Sequence, residues 1–212
     1  MDNNVILTTM TRIIIGLSIF VLALALNSNV LAQEDMEDKI GAPEASITAE
    51  YKLPYPGMLP DSPFYKLKTL RDKIVLGLIS DHNKKAAKYL EMADKQLYSA
   101  LKVAEKGNVP LALHTAFKGE HNMTLLVDNL RAVLYSGGDM DFKVISQAHQ
   151  ASAKHQELLQ GMMGRGQENE KEQFAVIMEF STRNNNQLSK LEEEATYSAD
   201  LLMDEFPDQP TQ

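Results

Sequence analysis

Five histidines are the side chains of this 212-residue sequence with the widest chemical use, because imidazole binds transition metals and transfers protons near neutral pH. They are His82, His114, His121, His149 and His155. His114 and His121 are separated by about 10 Å along a helix axis, and His149 and His155 point about 120° apart around one. Neither pair can hold one metal ion without ligands from another helix.

Sequence signatures of catalysis and of metal binding are missing. The chain has no Cys, no His-Glu-x-x-His motif and no repeated Glu-x-x-His motif, so metal sites of the thiolate, zincin and di-iron types lack their ligands. It also lacks the Gly-x-Ser-x-Gly turn of serine hydrolases. Met162 and Met163 offer thioethers near His155, as copper sites do, but methionine more often fills irregular cores. We therefore predict that the chain is not an enzyme, and we assign no catalytic, cofactor-binding or metal-binding residue and no cofactor.

Two polar residues fall inside apolar stripes. Glu120 lies between Ala116 and Met123, where a buried carboxylate with a raised pKa would be a functional candidate. The more ordinary arrangement, which we expect, is that Glu120 extends to solvent or that the stripe shifts phase there. We likewise expect His82 in a loop and the other histidines at helix surfaces or edges. Asn184 occupies a seam position, and a buried Asn there would fix the register of the helices.

The elements that carry these residues follow from a helical period of apolar side chains. The clearest stripe has the 4-3-4 spacing of a heptad seam, typical of coiled-coil-like packing. It comprises Ala86, Leu90, Ala93, Leu97, Ala100 and Ala104. Similar stripes predict helices over about 62–79, 109–135, 141–160 and 168–205, besides this one, which ends at Lys106-Gly107. Because strand signals are absent, we predict an all-α fold, a four- to five-helix bundle preceded by an extended proline-rich segment.

The outer helices carry their own predicted stripes. The first begins at Ser62 as N-cap with Pro63 in the first turn. Its apolar residues are Phe64, Leu67, Leu70, Ile74 and Leu78. Those of the third helix are Leu113, Ala116, Met123, Val127, Leu130 and Leu134. The fourth helix is predicted to turn Phe142, Ile145, Ala148 and Leu159 inward, and the fifth Phe174, Ile177, Leu188, Leu191, Ala195 and Leu202.

The N-terminus has the layout of a secretory signal. Arg12 precedes an apolar run over residues 13–26, and Val30-Leu31-Ala32 supplies small residues for cleavage. The run would span about 21 Å as a helix, which is short of the roughly 30 Å hydrocarbon core of a bilayer. We predict a signal peptide over 1–32, a flexible acidic spacer over 33–50, a helical domain over 51–206 and a disordered tail over 207–212. The expected localisation is secreted or extracytoplasmic, with no stable membrane span after cleavage.

The net charge of −8 argues against nucleic acid as a partner, because an acidic chain repels phosphate backbones, and by the same argument it repels anionic lipid. The absence of Cys means that the domain has no disulfides and depends on its core alone.

The proline-rich entry to the domain is the most specific string of the sequence. Residues 53–65 read Leu-Pro-Tyr-Pro-Gly-Met-Leu-Pro-Asp-Ser-Pro-Phe-Tyr and are followed by Lys66-Leu67-Lys68 and Arg71-Asp72-Lys73-Ile74. This string resembles the prokaryotic domain-of-unknown-function family numbered 5667, and the likeness covers residues 53–107. The resemblance implies an exported helical protein and implies no activity. We also predict that residues 51–59 pack along the bundle through Tyr51, Leu53, Tyr55, Met58 and Leu59.

The sequence therefore favours an exported, non-enzymatic helical protein of unknown biochemical role that binds a protein or a cell-envelope component. The alternative is an extracytoplasmic helical bundle, related to stress, that binds a small ligand or a metal. Partner capture without a cofactor would indicate the first function, and a thermal shift with a metal or small ligand would indicate the second. The oligomeric state is left open.

Overall fold

The computed structural model describes residues 51–205, with side chains up to residue 198. Five helices make up most of this part of the chain, and it contains no β-strand. They are α1 (Tyr65–Leu78), α2 (His82–Glu105), α3 (Val109–Tyr135), α4 (Phe142–Met163) and α5 (Glu168–Glu205). The all-α prediction is confirmed. The predicted signal peptide, the acidic spacer and the tail from residue 207 lie outside the described residues.

The ends of the bundle helices are set by local side-chain chemistry. The Asp81 carboxylate accepts a hydrogen bond from the Lys84 amide at the start of α2, and Asn108 accepts one from the Leu111 amide at the start of α3. Gly107 follows α2 with a φ of +81°, in the left-handed region where glycine carries no steric cost. The predicted stop of the second helix at Lys106-Gly107 is thus confirmed.

Four of the helices form a closed bundle. α2 packs against α3, α3 against α5, α5 against α4, and α4 against α2. The α2–α3 contact is close because Leu97 occupies the space that a Cβ atom at Gly119 would need. A side chain at position 119 would therefore force the two helices apart.

The buried apolar residues divide into two clusters along the bundle. The first apolar cluster comprises Ala86, Leu90, Ala93, Met123, Leu126, Val127, Leu130, Val133, Met140, Val144, Ile145, Ala148, Ala151, Leu188, Leu191 and Ala195. The second apolar cluster comprises Leu97, Ala100, Val103, Ala112, Leu113, Ala116, Leu159, Met162, Phe174 and Ile177. The predicted heptad seam of α2 is buried except for Ala104, which is half-buried at the edge of the second cluster.

Two predictions about residues at helix starts are wrong: the cap of α1 and the orientation of Phe142. Ser62 does not cap α1, because a turn occupies this stretch: the Ser62 amide donates to the Leu59 carbonyl at 3.0 Å, and the Tyr65 amide donates to the Ser62 carbonyl at 3.1 Å. The helix begins three residues later, after Phe64. Phe142 was predicted to face inward but is 43% exposed, because it is the first residue of α4 and stands at the end of the bundle.

The segment before α1 contacts both the bundle and α1 at a few points. Tyr51 packs against the first apolar cluster, and Asp61 pairs with Lys106, which follows α2, at 2.7 Å. The Lys68 ammonium group of α1 donates to the Pro56 carbonyl at 2.6 Å.

Tyr55 and Met58, which were expected to supply packing area, are 80% and 41% exposed. Pro56 is buried and Leu53 and Leu59 are half-buried, so only part of the predicted side chains is covered.

Candidate functional site

Each helix of the bundle contributes one buried polar residue to a common level of the core. We call Asp94 of α2, Glu120 of α3, His155 of α4 and Asn184 of α5 the polar layer; each is at most 3% exposed. The polar layer lies between the two apolar clusters. On α2 the first cluster ends at Ala93 and the second begins at Leu97.

His155 is the centre of the polar layer. Its Nδ1 atom lies 3.1 Å from Oε1 of Glu120, and its Nε2 atom lies 3.0 Å from Oδ1 of Asp94. The two carboxylate oxygens both accept a hydrogen bond from the ring only when both ring nitrogens of His155 carry protons. Burial alone lowers the pKa of His155, but the hydrogen bonds and charges of Asp94 and Glu120 raise it more, to about 9. The imidazolium form is therefore the form that this core stabilises.

The outer oxygens of both carboxylates have further partners. The Tyr51 hydroxyl donates to Oδ2 of Asp94 at 2.7 Å. The Asn184 amide group donates to the Glu120 backbone carbonyl at 2.9 Å, and its Nδ2 also lies 3.4 Å from Oε2 of the same residue. Thr124 donates its hydroxyl to Oδ1 of Asn184 at 2.9 Å. Hydrogen bonds thus link all four bundle helices and the segment that precedes α1. These bonds fix the register of the four helices relative to one another.

The geometry of the polar layer suits a structural role better than catalysis or metal binding. The two carboxylates lie on opposite nitrogens of one ring, so they cannot share a metal ion with it. Within the described residues no group of three His, Asp or Glu side chains could hold an ion. His155 is fully buried, so a substrate has no path to it.

The structure corrects two expectations about these residues. Glu120 does not extend to solvent, and His155 is not at a helix surface; both are buried because each neutralises part of the charge of the other. The prediction of a buried Asn184 is confirmed. His149 does lie at a helix edge, where Nδ1 is 2.8 Å from the Asn185 side-chain oxygen and Nε2 is 3.1 Å from Glu192.

Asp94 was missed in the sequence, although a signal for it exists. In an antiparallel hairpin, residues equidistant from the turn lie at the same height. Asp94 precedes Gly107 by as many residues as Glu120 follows it. Two acidic residues at one height of the α2–α3 hairpin therefore call for a cation between them, and His155 supplies it.

The raised pKa of His155 predicts that stability falls at alkaline pH. Histidine in the unfolded chain has a pKa near 6.5, whereas the folded value is about 9. The stabilising contribution of protonated His155 is therefore complete below pH 6.5, declines as the pH rises to about 9, and is lost above it. We expect a fall of at most about 3 kcal/mol in the free energy of unfolding. Urea unfolding measured from pH 6 to 9.5 checks this, and an unchanged midpoint would contradict it.

Removing the Tyr51 hydroxyl should destabilise the protein modestly. Tyr51→Phe keeps the ring against the first apolar cluster but leaves Oδ2 of Asp94 without its donor. Hydrogen bonds to charged groups contribute about 1.5–3 kcal/mol, so we expect a loss in that range by urea unfolding. Tyr55→Phe is the matched control, because Tyr55 is 80% exposed, and it should leave stability unchanged. Equal effects of the two variants would show that the Asp94 contact is not formed.

A second candidate site is the outer face of α1. No residue of α1 is buried. We call its exposed apolar residues, with the Phe that precedes it, the α1 stripe. They are Phe64 (62% exposed), Leu67 (65%), Leu70 (56%), Ile74 (57%), Val75 (38%) and Leu78 (79%). So many large apolar side chains on one short helix form the kind of patch that marks an interaction surface.

The surroundings of the α1 stripe are basic. α1 contains Lys66, Lys68, Arg71 and Lys73, and its one acidic residue, Asp72, is paired with Arg71 at 2.8 Å. This basic excess does not extend far along the chain. Residues 51–106 contain eleven Lys or Arg against six Asp or Glu, but residues 33–50 contain one against six and residues 107–205 contain eight against fifteen. The basic charge that adjoins the α1 stripe is therefore that of α1 itself.

An open apolar groove of about 410 Å³ lies between α3 and α5. Its lining includes Leu113, Phe117, Val176 and Ile177. Phe117 also stacks on Phe180, with ring centroids 5.7 Å apart. In the part of the chain that the structure describes, no helix is long and apolar enough to span a bilayer.

Comparison with known proteins gives one family. No curated protein and no solved structure matches the chain. The sequence model of a family described as a domain of unknown function, DUF5667, matches residues 57–201. This range contains α1, the four bundle helices up to residue 201 and every member of the polar layer. The chain therefore belongs to the DUF5667 family.

Proposed function

We propose that this chain is an exported, non-enzymatic binding protein that holds a partner of the cell envelope through the α1 stripe. The observation that carries the proposal is the exposure of six large apolar side chains on and beside α1. Export rests on the signal-like N-terminus, namely Arg12, the apolar run over 13–26 and the small residues that end at Ala32.

The α1 stripe is not needed to complete the bundle. The two apolar clusters and the polar layer are built from α2 to α5, and no α1 residue belongs to either cluster. Burying a large aliphatic or aromatic side chain is worth about 1.5–3 kcal/mol, so six of them left in water supply a large driving force for association. The fold thus presents a surface whose apolar area is available to another molecule.

The test is a pull-down from the envelope fraction of the source cell. The wild-type chain should retain a partner that Leu67→Glu combined with Ile74→Glu loses. Val176→Glu is the matched control, because Val176 is 63% exposed but lies on α5 in the groove. Retention by all three chains would show that the α1 stripe is not the binding surface.

The alternative function, a bundle that binds a small ligand or a metal, predicts a different result. The apolar groove between α3 and α5 is the place that favours it. A ligand bound there would raise the melting temperature of the wild-type chain and of the α1 variants alike, and Val176→Glu would remove the shift.

A further inference from the structure

We infer that the partner of the α1 stripe is the surface of an anionic lipid membrane, on which α1 lies parallel to the bilayer plane. The inference rests on the proposed function and names the partner of the same site. It assigns the apolar side chains to the acyl-chain boundary and the flanking lysines to the headgroup phosphates.

The geometry of α1 allows it to lie along an interface. At 3.6 residues per turn, the α1 stripe covers an arc of about 140° along a helix of roughly 21 Å, and the exposed Arg71 projects within this arc. The opposite face carries Tyr65, Thr69 and Leu76, which are partly buried. The arc is therefore the more exposed face of α1, so a flat surface can cover its apolar side chains while the Arg71 guanidinium group reaches a headgroup phosphate.

The basic residues stand where headgroups would lie. Lys66 and Lys73 follow the edge of the arc next to Leu70, and both are exposed. Their long aliphatic stems can lie along the apolar side chains while the ammonium groups reach phosphate. Lys68 has a different task, because its ammonium group donates to the Pro56 carbonyl.

The local charge of α1 favours contact of this helix with an anionic surface. α1 carries four basic residues against one acidic residue and is attracted to that surface, whereas the excess of Asp and Glu in residues 107–205 is repelled by it. Contact through α1 therefore places basic residues nearest to the lipid, although the whole chain carries a charge of −8.

Two other occupants of the α1 stripe fit less well. In a symmetric dimer through this stripe, two helices that each carry four basic residues and one acidic residue would face each other and repel. The apolar run over residues 13–26 of the same chain contains no acidic residue to pair with Lys66 or Lys73. Of these three occupants, the anionic membrane is the one that offers both the apolar phase and the negative charge.

The natural chain contains no Trp, so a single introduced Trp reports its own site. We would compare full-length Leu67→Trp with full-length Val176→Trp, since the two native residues are 65% and 63% exposed. Vesicles of phosphatidylglycerol and phosphatidylcholine should shift the emission of Leu67→Trp to shorter wavelength, and brominated lipid should quench it. Pure phosphatidylcholine should give much less shift, and Val176→Trp should not respond.

Charge is tested in the Leu67→Trp chain. Lys66→Glu with Lys73→Glu should weaken the apparent affinity for the anionic vesicles about tenfold or more. Lys118→Glu with Lys143→Glu, which makes the same charge change within residues 107–205, is the control and should weaken it much less. Added salt should also weaken the affinity of the Leu67→Trp chain for the anionic vesicles.

Three outcomes would overturn the inference. The first is emission that neither vesicle changes. The second is Trp emission that is already at short wavelength before lipid is added, because a second copy of the chain or residues 13–26 would then cover the α1 stripe. Light scattering distinguishes these two cases, since only the first forms a dimer. The third is an equal response to both vesicles.

The lipid inference and the proposed function can be told apart. If the vesicle experiment gives one of these outcomes but the pull-down still depends on Leu67 and Ile74, only the lipid inference is wrong. If the pull-down also fails to depend on them, the proposed function is wrong too.

Discussion

His155→Leu is expected to lower the free energy of unfolding by about 3–5 kcal/mol, because it leaves Asp94 and Glu120 in the core without their cation. The leucine has a similar volume, so lost packing contributes little. The penalty comes from two carboxylates that are at most 3% exposed and that now repel each other. They must take up protons or draw water into the core. Urea unfolding at pH 6.5 measures the loss.

His149→Leu is the matched control for this variant. His149 lies on the same helix and contacts Glu192, but its side chain is 28% exposed and that of Glu192 is 42% exposed. Exposed ion pairs contribute about 0–1 kcal/mol, so the control should change stability by no more than that. A His155→Leu variant as stable as the control would show that the polar layer is not an ionic network.

A compensated variant separates charge from shape. Adding Asp94→Asn and Glu120→Gln to His155→Leu removes both stranded charges, so part of the lost stability should return. The compensated variant should also lose the decline between pH 6.5 and 9, because the group whose pKa is raised is gone. Recovery with the pH dependence retained would assign that dependence to another residue.

The helices could be predicted from the sequence because their signals are local. The α2 seam repeats within one helix, and a heptad of alanine and leucine needs no partner to be recognised. The same holds for α5, predicted over 168–205 and observed over Glu168–Glu205. Capping residues such as Asn108 act within one turn, so the start of α3 was predictable as well.

The polar layer could not be predicted in full because its contacts join distant parts of the chain. His155 meets Asp94 and Glu120, which are 61 and 35 residues away. A single acidic residue in an apolar stripe is ambiguous until its partner is known, and the ordinary expectation for Glu120 was therefore wrong. The hairpin symmetry of Asp94 and Glu120 about Gly107 fixes their height but not the identity of the cation.

The exposure of the α1 stripe could not be predicted from the sequence either. An amphipathic period shows which face of a helix is apolar but not what covers that face. The first helix and the bundle helices have similar stripes, yet only α2 to α5 bury theirs against one another. A helix whose apolar face remains in water is thus found only when the bundle is seen to close without it.

Leu97→Asp is expected to unfold the domain or to leave it with very little stability. Leu97 is fully buried at the start of the second apolar cluster and fills the space beside Gly119. Losing a buried leucine side chain costs about 2–5 kcal/mol, and an unpaired buried carboxylate adds several more. The new charge would also lie one turn from Asp94, so the polar layer would hold three carboxylates around one imidazolium. The sum reaches the whole stability of a typical domain, about 5–15 kcal/mol.

Leu70→Asp is the matched control, because it makes the same chemical change at a leucine that is 56% exposed on α1. Circular dichroism at 222 nm and urea unfolding should show loss of helix for Leu97→Asp and nearly wild-type behaviour for Leu70→Asp. The measurement includes chelator, because we also expect the wild-type domain to be helical without metal. A folded Leu97→Asp would mean that α2 does not pack on α3 at Gly119, and the bundle described above would be wrong at its closest contact. Equal destabilisation by Leu70→Asp would instead place the α1 stripe in the core, because only a buried leucine is that sensitive to a charge.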